Sequence, residues 1–142
     1  MSPEEFDRVI AINVRGVYNG VVTFAPGMRA RGRGHIVNTA SVNGLLAHAT
    51  FAAYSASKFG LVGFTRALIL ELAGRVGVTL LIPGGMQTAF FDDRDPQYKP
   101  GPDAKLNRPE DVAAAVLFAL SQPPGCEIRE LVVTPSTEPS WP

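Results

Sequence analysis

The run Val78-Thr79-Leu80-Leu81-Ile82, stopped by Pro83-Gly84-Gly85, constrains the fold most. It lacks the apolar/polar alternation of a half-exposed strand, so it suits a strand buried on both faces. Such a strand needs helices on both faces, and parallel pairing through helical crossovers supplies them. The preceding sequence has the helical signals. Ser2-Pro3-Glu4-Glu5 is a capping-box start with proline at the first helical position. Phe6, Val9, Ile10, Val17, Val21 and Phe24 then recur mostly at helical spacing, which predicts one buried face. Pro26 is expected to bend or end this helix, with Gly32 and Gly34 closing it before the strand-like Ile36-Val37-Asn38-Thr39.

A second long helix is expected from Ala52 to about Leu72, where Tyr54, Leu61, Val62, Phe64, Leu68, Ile69 and Leu72 keep helical spacing among small residues. Residues 84–107 are rich in proline, glycine and charge, and a loop that long within a compact domain reads as a lid. Pro109-Glu110-Asp111 opens a third helix with Val112, Ala115, Val116 and Ala119 inward, and Ile128 to Val133 forms a last strand. Helix and strand alternate throughout, which implies an α/β fold with right-handed crossovers. Three parallel strands are expected near Ile36, Leu80 and Val132, with the two long helices on one face. A chain of 142 residues builds one core, so residues 1–142 are expected to form a single domain. The tail from Pro135 to Pro142, with Trp141, is either a frayed end or an arm on a partner subunit.

Charge and composition narrow the function. Thirteen Lys and Arg balance thirteen Asp and Glu with no basic cluster, which argues against nucleic acid or an anionic membrane as partner. The longest apolar stretch, Val112 to Leu120, falls far short of the roughly 20 residues a membrane span needs, so a soluble chain is expected. Met1-Ser2-Pro3-Glu4-Glu5 is acidic and polar, unlike a secretory signal, and a cytoplasmic location is expected. Cys126 is the single cysteine, and His35 and His48 stand 13 positions apart, so no disulfide or metal site is expected.

Tyr54-Ser55-Ala56-Ser57-Lys58 puts a phenol and an ammonium one helical turn apart. An ammonium about 5 Å from a phenolate, at an effective dielectric near 20, stabilises it by about 3 kcal/mol, or about two pKa units. Tyr54 is then a plausible acid/base near neutral pH; an exposed helix pair is the plainer alternative. Ser41 follows the Ile36–Thr39 strand, at the carboxyl end where open α/β sheets bind ligands, although Ser41-Val42-Asn43-Gly44 also reads as a simple turn. Asn13 falls on the apolar face between Ile10 and Val17, where an unpaired amide costs about 1–3 kcal/mol. A satisfied core asparagine and a water-holding site residue both fit it.

Asn13-x-x-Gly16, Ile36-Val37-Asn38-Thr39-Ala40-Ser41, Tyr54-x-x-x-Lys58 and Pro83-Gly84-Gly85-Met86-Gln87-Thr88 together closely resemble the C-terminal half of a short-chain dehydrogenase/reductase, in order and spacing over nearly the whole chain. The resemblance implies a partial Rossmann-type, doubly wound parallel sheet lacking its N-terminal βαβ units. It implies NAD or NADP as cofactor and hydride transfer between an alcohol and a carbonyl, with a small-molecule substrate and no metal. It further implies that Tyr54 is the general acid/base, that Lys58 holds the nicotinamide ribose and lowers the tyrosine pKa, that Ser41 bonds the substrate oxygen, and that Asn13 anchors a proton-relay water. Pro83, Gly84, Met86 through its backbone and Thr88 through its hydroxyl become nicotinamide contacts. The loop beyond them is implied to close over substrate, and its Met86, Phe90 and Phe91 either suit an apolar ligand or pack on the sheet.

The glycine-rich turn that lets a backbone approach a pyrophosphate has no match here. Gly16-x-x-x-Gly20 lies in a predicted helix, and Gly32-Arg33-Gly34 leads into a strand. The family's Asn-Asn-Ala-Gly segment is missing as well. The chain therefore reads as the catalytic half without the adenosine-binding half, and a truncated, inactive or partner-dependent subunit that binds another chain through its long helices is the alternative. Gly16, Gly20, Gly60, Gly63 and the small residues Ala52, Ala53, Ser55 and Ala56 permit close helix approach, and the resemblance implies a homo-oligomer formed there.

Overall fold

The computed structural model of the chain describes residues 1–138. Helix α1 (Pro3–Ile10) starts on the expected capping box: Glu5 N–H donates to Ser2 Oγ at 3.3 Å, and Ser2 N–H donates to the Glu5 carboxylate at 2.6 Å. It widens into a π-helical turn over Ala11–Arg15 and resumes as α2 (Gly16–Arg31). Pro26 does not end α2, contrary to one of the two expectations for it. Val22, whose carbonyl loses its N–H partner to the proline ring, sits on an exposed side of the helix, where water can serve that carbonyl. Gly32 at φ 66° stops the helix in the left-handed conformation.

Strands β1 (His35–Thr39), β2 (Gly77–Pro83) and β3 (Glu130–Val133) form one parallel sheet in the order β1-β2-β3. Thr39 stands opposite Leu81, which in turn stands opposite Leu131. As expected from its composition, β2 is buried from Val78 to Pro83. Val78, Leu80 and Ile82 alternate onto one face, where they pack with Val21 and Ala25 of α2 and with Leu61, Leu68 and Leu72 of α3 (Ala52–Leu72). The two long helical segments thus share that face, and α4 (Pro109–Leu120) packs on β2 and β3 through buried Val112 and Ala119.

Three expectations need correction. β3 begins at Glu130 rather than Ile128; before it, Ile128 O accepts from Thr79 Oγ1 and Arg129 O from Leu80 N–H. Phe6 and Phe24 are not buried: they are 40% and 64% exposed. For Phe24 the reason is visible, because it lines an apolar groove beside β1 with Val17, Met28 and Ile36, and no layer covers that groove among the described residues. The outer edge of β1 likewise pairs with no strand among the described residues. The predicted lid, residues 84–107, is a loop with two short 3₁₀ turns at Ala89–Phe91 and Pro96–Tyr98. No described helix is long and apolar enough to cross a membrane, and no described cluster of ligands would hold a metal. Trp141 lies outside the described residues.

Candidate active site

The carboxyl ends of β1 and β2 open into a cavity of about 560 Å³, walled by the start of α3 and by the lid. Ser41, just past β1, caps the 3₁₀ turn Val42–Gly44, its Oγ accepting from Asn43 N–H at 3.2 Å. With that lone pair used, its O–H remains to donate into the cavity. Tyr54 and Lys58 lie one turn apart in the first half of α3 and both line the cavity. Lys58 Nζ donates to Thr39 O at 3.0 Å and stands 5.6 Å from the Tyr54 ring centroid. One ammonium therefore holds the end of β1 and stands beside the Tyr54 ring.

The electrostatic balance differs from the simple pair expected from spacing. Burial pushes the Tyr54 phenol above its ordinary range; a hydrogen bond from Ser41 and the charge of Arg94 pull the other way without overcoming it. Lys58 is half-buried too, and burial lowers its pKa, because desolvation penalises an ammonium as it does a phenolate. Lys58 is not among the groups that act on the phenol, so the pKa lowering expected from it is not found, and burial holds Tyr54 as the neutral phenol.

Pro83, Gly84, Met86 and Thr88 line the same cavity as Ser41, Tyr54 and Lys58. The lid's base is pinned: Gly84 N–H donates to Val133 O, Asn107 N–H to Gly85 O, and Gln87 N–H to Asn107 O. Asn13 is the exception among the predicted residues, for it does not line the cavity. It lies in the π-helical turn, a geometry found often at functional sites, and its Nδ2 donates to Ser57 Oγ at 3.0 Å. Ser57 Oγ in turn donates to the main-chain carbonyl of Tyr54 at 2.7 Å. Asn13 is thereby a partnered amide behind the phenol.

Several cavity residues escaped the sequence reading. Phe51, three positions before Tyr54, and Tyr98 on the lid form an edge-to-face pair 5.6 Å apart. The i, i+3 spacing to Tyr54 was a usable signal for Phe51, whereas nothing in the sequence pointed to Tyr98 or to Glu138, which also lines the cavity. Asn43 lines it as well, and its buried Oδ1 has no hydrogen-bond partner among the described residues.

The short chain dehydrogenase family model matches residues 1–99. An uncharacterized oxidoreductase of Staphylococcus aureus is 35% identical over 133 residues, covering 93% of this chain and 55% of its own length. A metagenomic short-chain oxidoreductase solved with NADP is 32% identical with a TM-score of 0.76, over 97% of this chain and 54% of its own. A short-chain dehydrogenase/reductase from Burkholderia phymatum solved with NAD is 30% identical with a TM-score of 0.78, over 93% of this chain and 54% of its own. The chain spans about half the length of each of these relatives. Sequence, fold and cavity position agree, and the chain belongs to the short-chain dehydrogenase family.

Proposed function

We propose that this chain is the catalytic part of an NAD(P)-dependent oxidoreductase that interconverts a carbonyl and an alcohol. The observation that carries the proposal is the convergence of Ser41, Tyr54 and Lys58 on one cavity at the strand ends, with Lys58 bridging Thr39 O and the Tyr54 ring. The residues present suit the nicotinamide–ribose end of such a cofactor: Lys58 supplies a donor, and Pro83, Gly84, Met86 and Thr88 form a wall beside it. Bound there, a nicotinamide nucleotide would supply the hydride to the carbonyl carbon or take it from the carbinol carbon.

Ser41 donates to the substrate oxygen and fixes its position. Tyr54, kept protonated at neutral pH by burial, passes its phenolic proton to that oxygen as the carbonyl carbon is reduced. In the reverse direction the phenolate takes the hydroxyl proton back, and Lys58 stabilises the anion. Asn13, implied to anchor a relay water, supports this centre from behind through Ser57 and Tyr54 O. An oligomer formed through the long helices is part of the reading, supported by exposed Tyr18 and Val22 on α2 and Phe59 and Leu70 on α3.

The test pairs this chain with a complementary N-terminal half that carries a glycine-rich turn. Tyr54→Phe is expected to cut NAD(P)H-dependent carbonyl reduction by at least about a hundredfold, the scale of a lost general acid, with little change in nucleotide affinity. Lys58→Ala is expected to weaken both. Unchanged turnover in the Tyr54→Phe protein removes the acid/base assignment.

A further inference from the structure

We infer that this site takes a neutral ketone or secondary alcohol carrying an aromatic or alicyclic ring, with Phe51, Phe90 and Tyr98 setting that preference. The inference rests on Tyr54 as the acid/base, because the rings are placed relative to its phenol. Five rings run through the site in a chain. Tyr98 meets Phe51 at 5.6 Å and 87°, Phe51 meets Tyr54 at 6.3 Å and 69°, Tyr54 meets Phe90 at 6.0 Å and 52°, and Phe90 meets Phe91 at 5.0 Å and 90°. These are the tilted and edge-to-face separations that aromatic rings favour. A substrate whose oxygen lies between Ser41 and Tyr54 therefore has its substituents among ring edges and faces.

The rings come from separate segments, the start of α3 and the lid, so no helix periodicity explains the cluster. Phe90 is not packed away on the sheet: it lines the cavity and remains 43% exposed. It is held from outside, with the Arg94 guanidinium 4.1 Å from its ring centroid and Arg94 Nε donating to its carbonyl at 2.9 Å. The lid's other nearby cation, Lys99, donates to Asp92 O at 2.7 Å. Each cation spends one donor on the lid backbone, and the Glu138 carboxylate, which also lines the cavity, disfavours an anionic ligand there. Phe51, Phe90 and Phe91 offer a substrate hydroxyl no acceptor, so a short polyhydroxylated substrate leaves this side of the cavity unused.

Equilibrium binding to the 142-residue chain tests this by ligand-observed NMR with acetophenone, cyclohexyl methyl ketone, dihydroxyacetone and benzoylformate as probes. The two ring ketones are expected to bind at least about tenfold more tightly than dihydroxyacetone, and Phe51→Ala and Phe90→Ala each to weaken them about fivefold, the loss of one ring contact. Phe51→Leu and Phe90→Leu keep apolar volume and give the same comparison if the alanine variants unfold. Equal affinity for acetophenone and dihydroxyacetone, a preference untouched by these variants, or tighter binding of benzoylformate overturns the inference. Because the readout is binding, a failed ring preference is distinguishable from a failed acid/base assignment, which shows only in turnover.

Discussion

At Tyr54, burial favours the neutral phenol, while the Ser41 hydroxyl and the Arg94 charge favour the phenolate. Burial wins, so the folded-state pKa lies above the ordinary phenol value. The associated stability is full below that ordinary value and is lost as pH rises through the folded one. Ultraviolet difference titration of the chain against Tyr54→Phe is expected to show this phenol ionising above pH 10, the ordinary phenol value. Ser41→Ala removes the larger opposing effect and should raise it further; Arg94→Ala should do the same more weakly. A Tyr54 that ionises below its ordinary value in the free chain would mean that Lys58, 5.6 Å from its ring, outweighs burial after all.

Among the elements, those written in local chemistry were legible and those set by tertiary neighbours were not. The capping box at Ser2, the αL stop at Gly32 and the doubly buried strand through Leu80 each have a local signature, and each appears. Pro26 misled because the cost of a helical proline depends on whether water reaches the freed carbonyl, and sequence does not show that. The π-helical turn around Asn13 left no mark either. Of the predicted site, the residues along β1, α3 and the Pro83 to Thr88 segment converge on one cavity, since short loops at strand ends bring them there. The ring cluster was illegible because three of its five rings hang on a long lid whose path no periodicity describes. The glycines expected to bring helices together are little used within the chain: a Cβ on Gly20 or Gly63 would meet nothing within 4 Å. The proposed oligomer would use these open faces. Gly63→Glu is therefore expected to leave the fold intact by circular dichroism and to convert the oligomer to monomer by light scattering. A monomeric parent chain at all accessible concentrations rules out the helical interface.

For the whole molecule, the bare edge of β1 and the uncovered groove at Phe24 match the roughly half-length coverage of the family relatives. The cavity at the strand ends is built entirely from described residues. Among the described residues no glycine-rich turn leads into a helix, the element whose N–H groups and dipole receive a pyrophosphate. On the proposed reading, only the nicotinamide–ribose end of a dinucleotide would find partners, and those partners, Lys58 and the wall from Pro83 to Thr88, would offer few charge-assisted bonds. The chain by itself is therefore expected to bind NAD(H) and NADP(H) only in the millimolar range, despite holding the residues proposed for hydride chemistry. Nicotinamide fluorescence titration measures this directly. Affinity should rise at least about a hundredfold when a complementary half restores the turn, and discrimination between NAD and NADP should appear only then, because the segment that meets the adenosine ribose belongs to that half. Micromolar binding by the chain alone would mean that the strand ends and lid hold a complete dinucleotide without the turn, and the division into catalytic and adenosine-binding halves would fall.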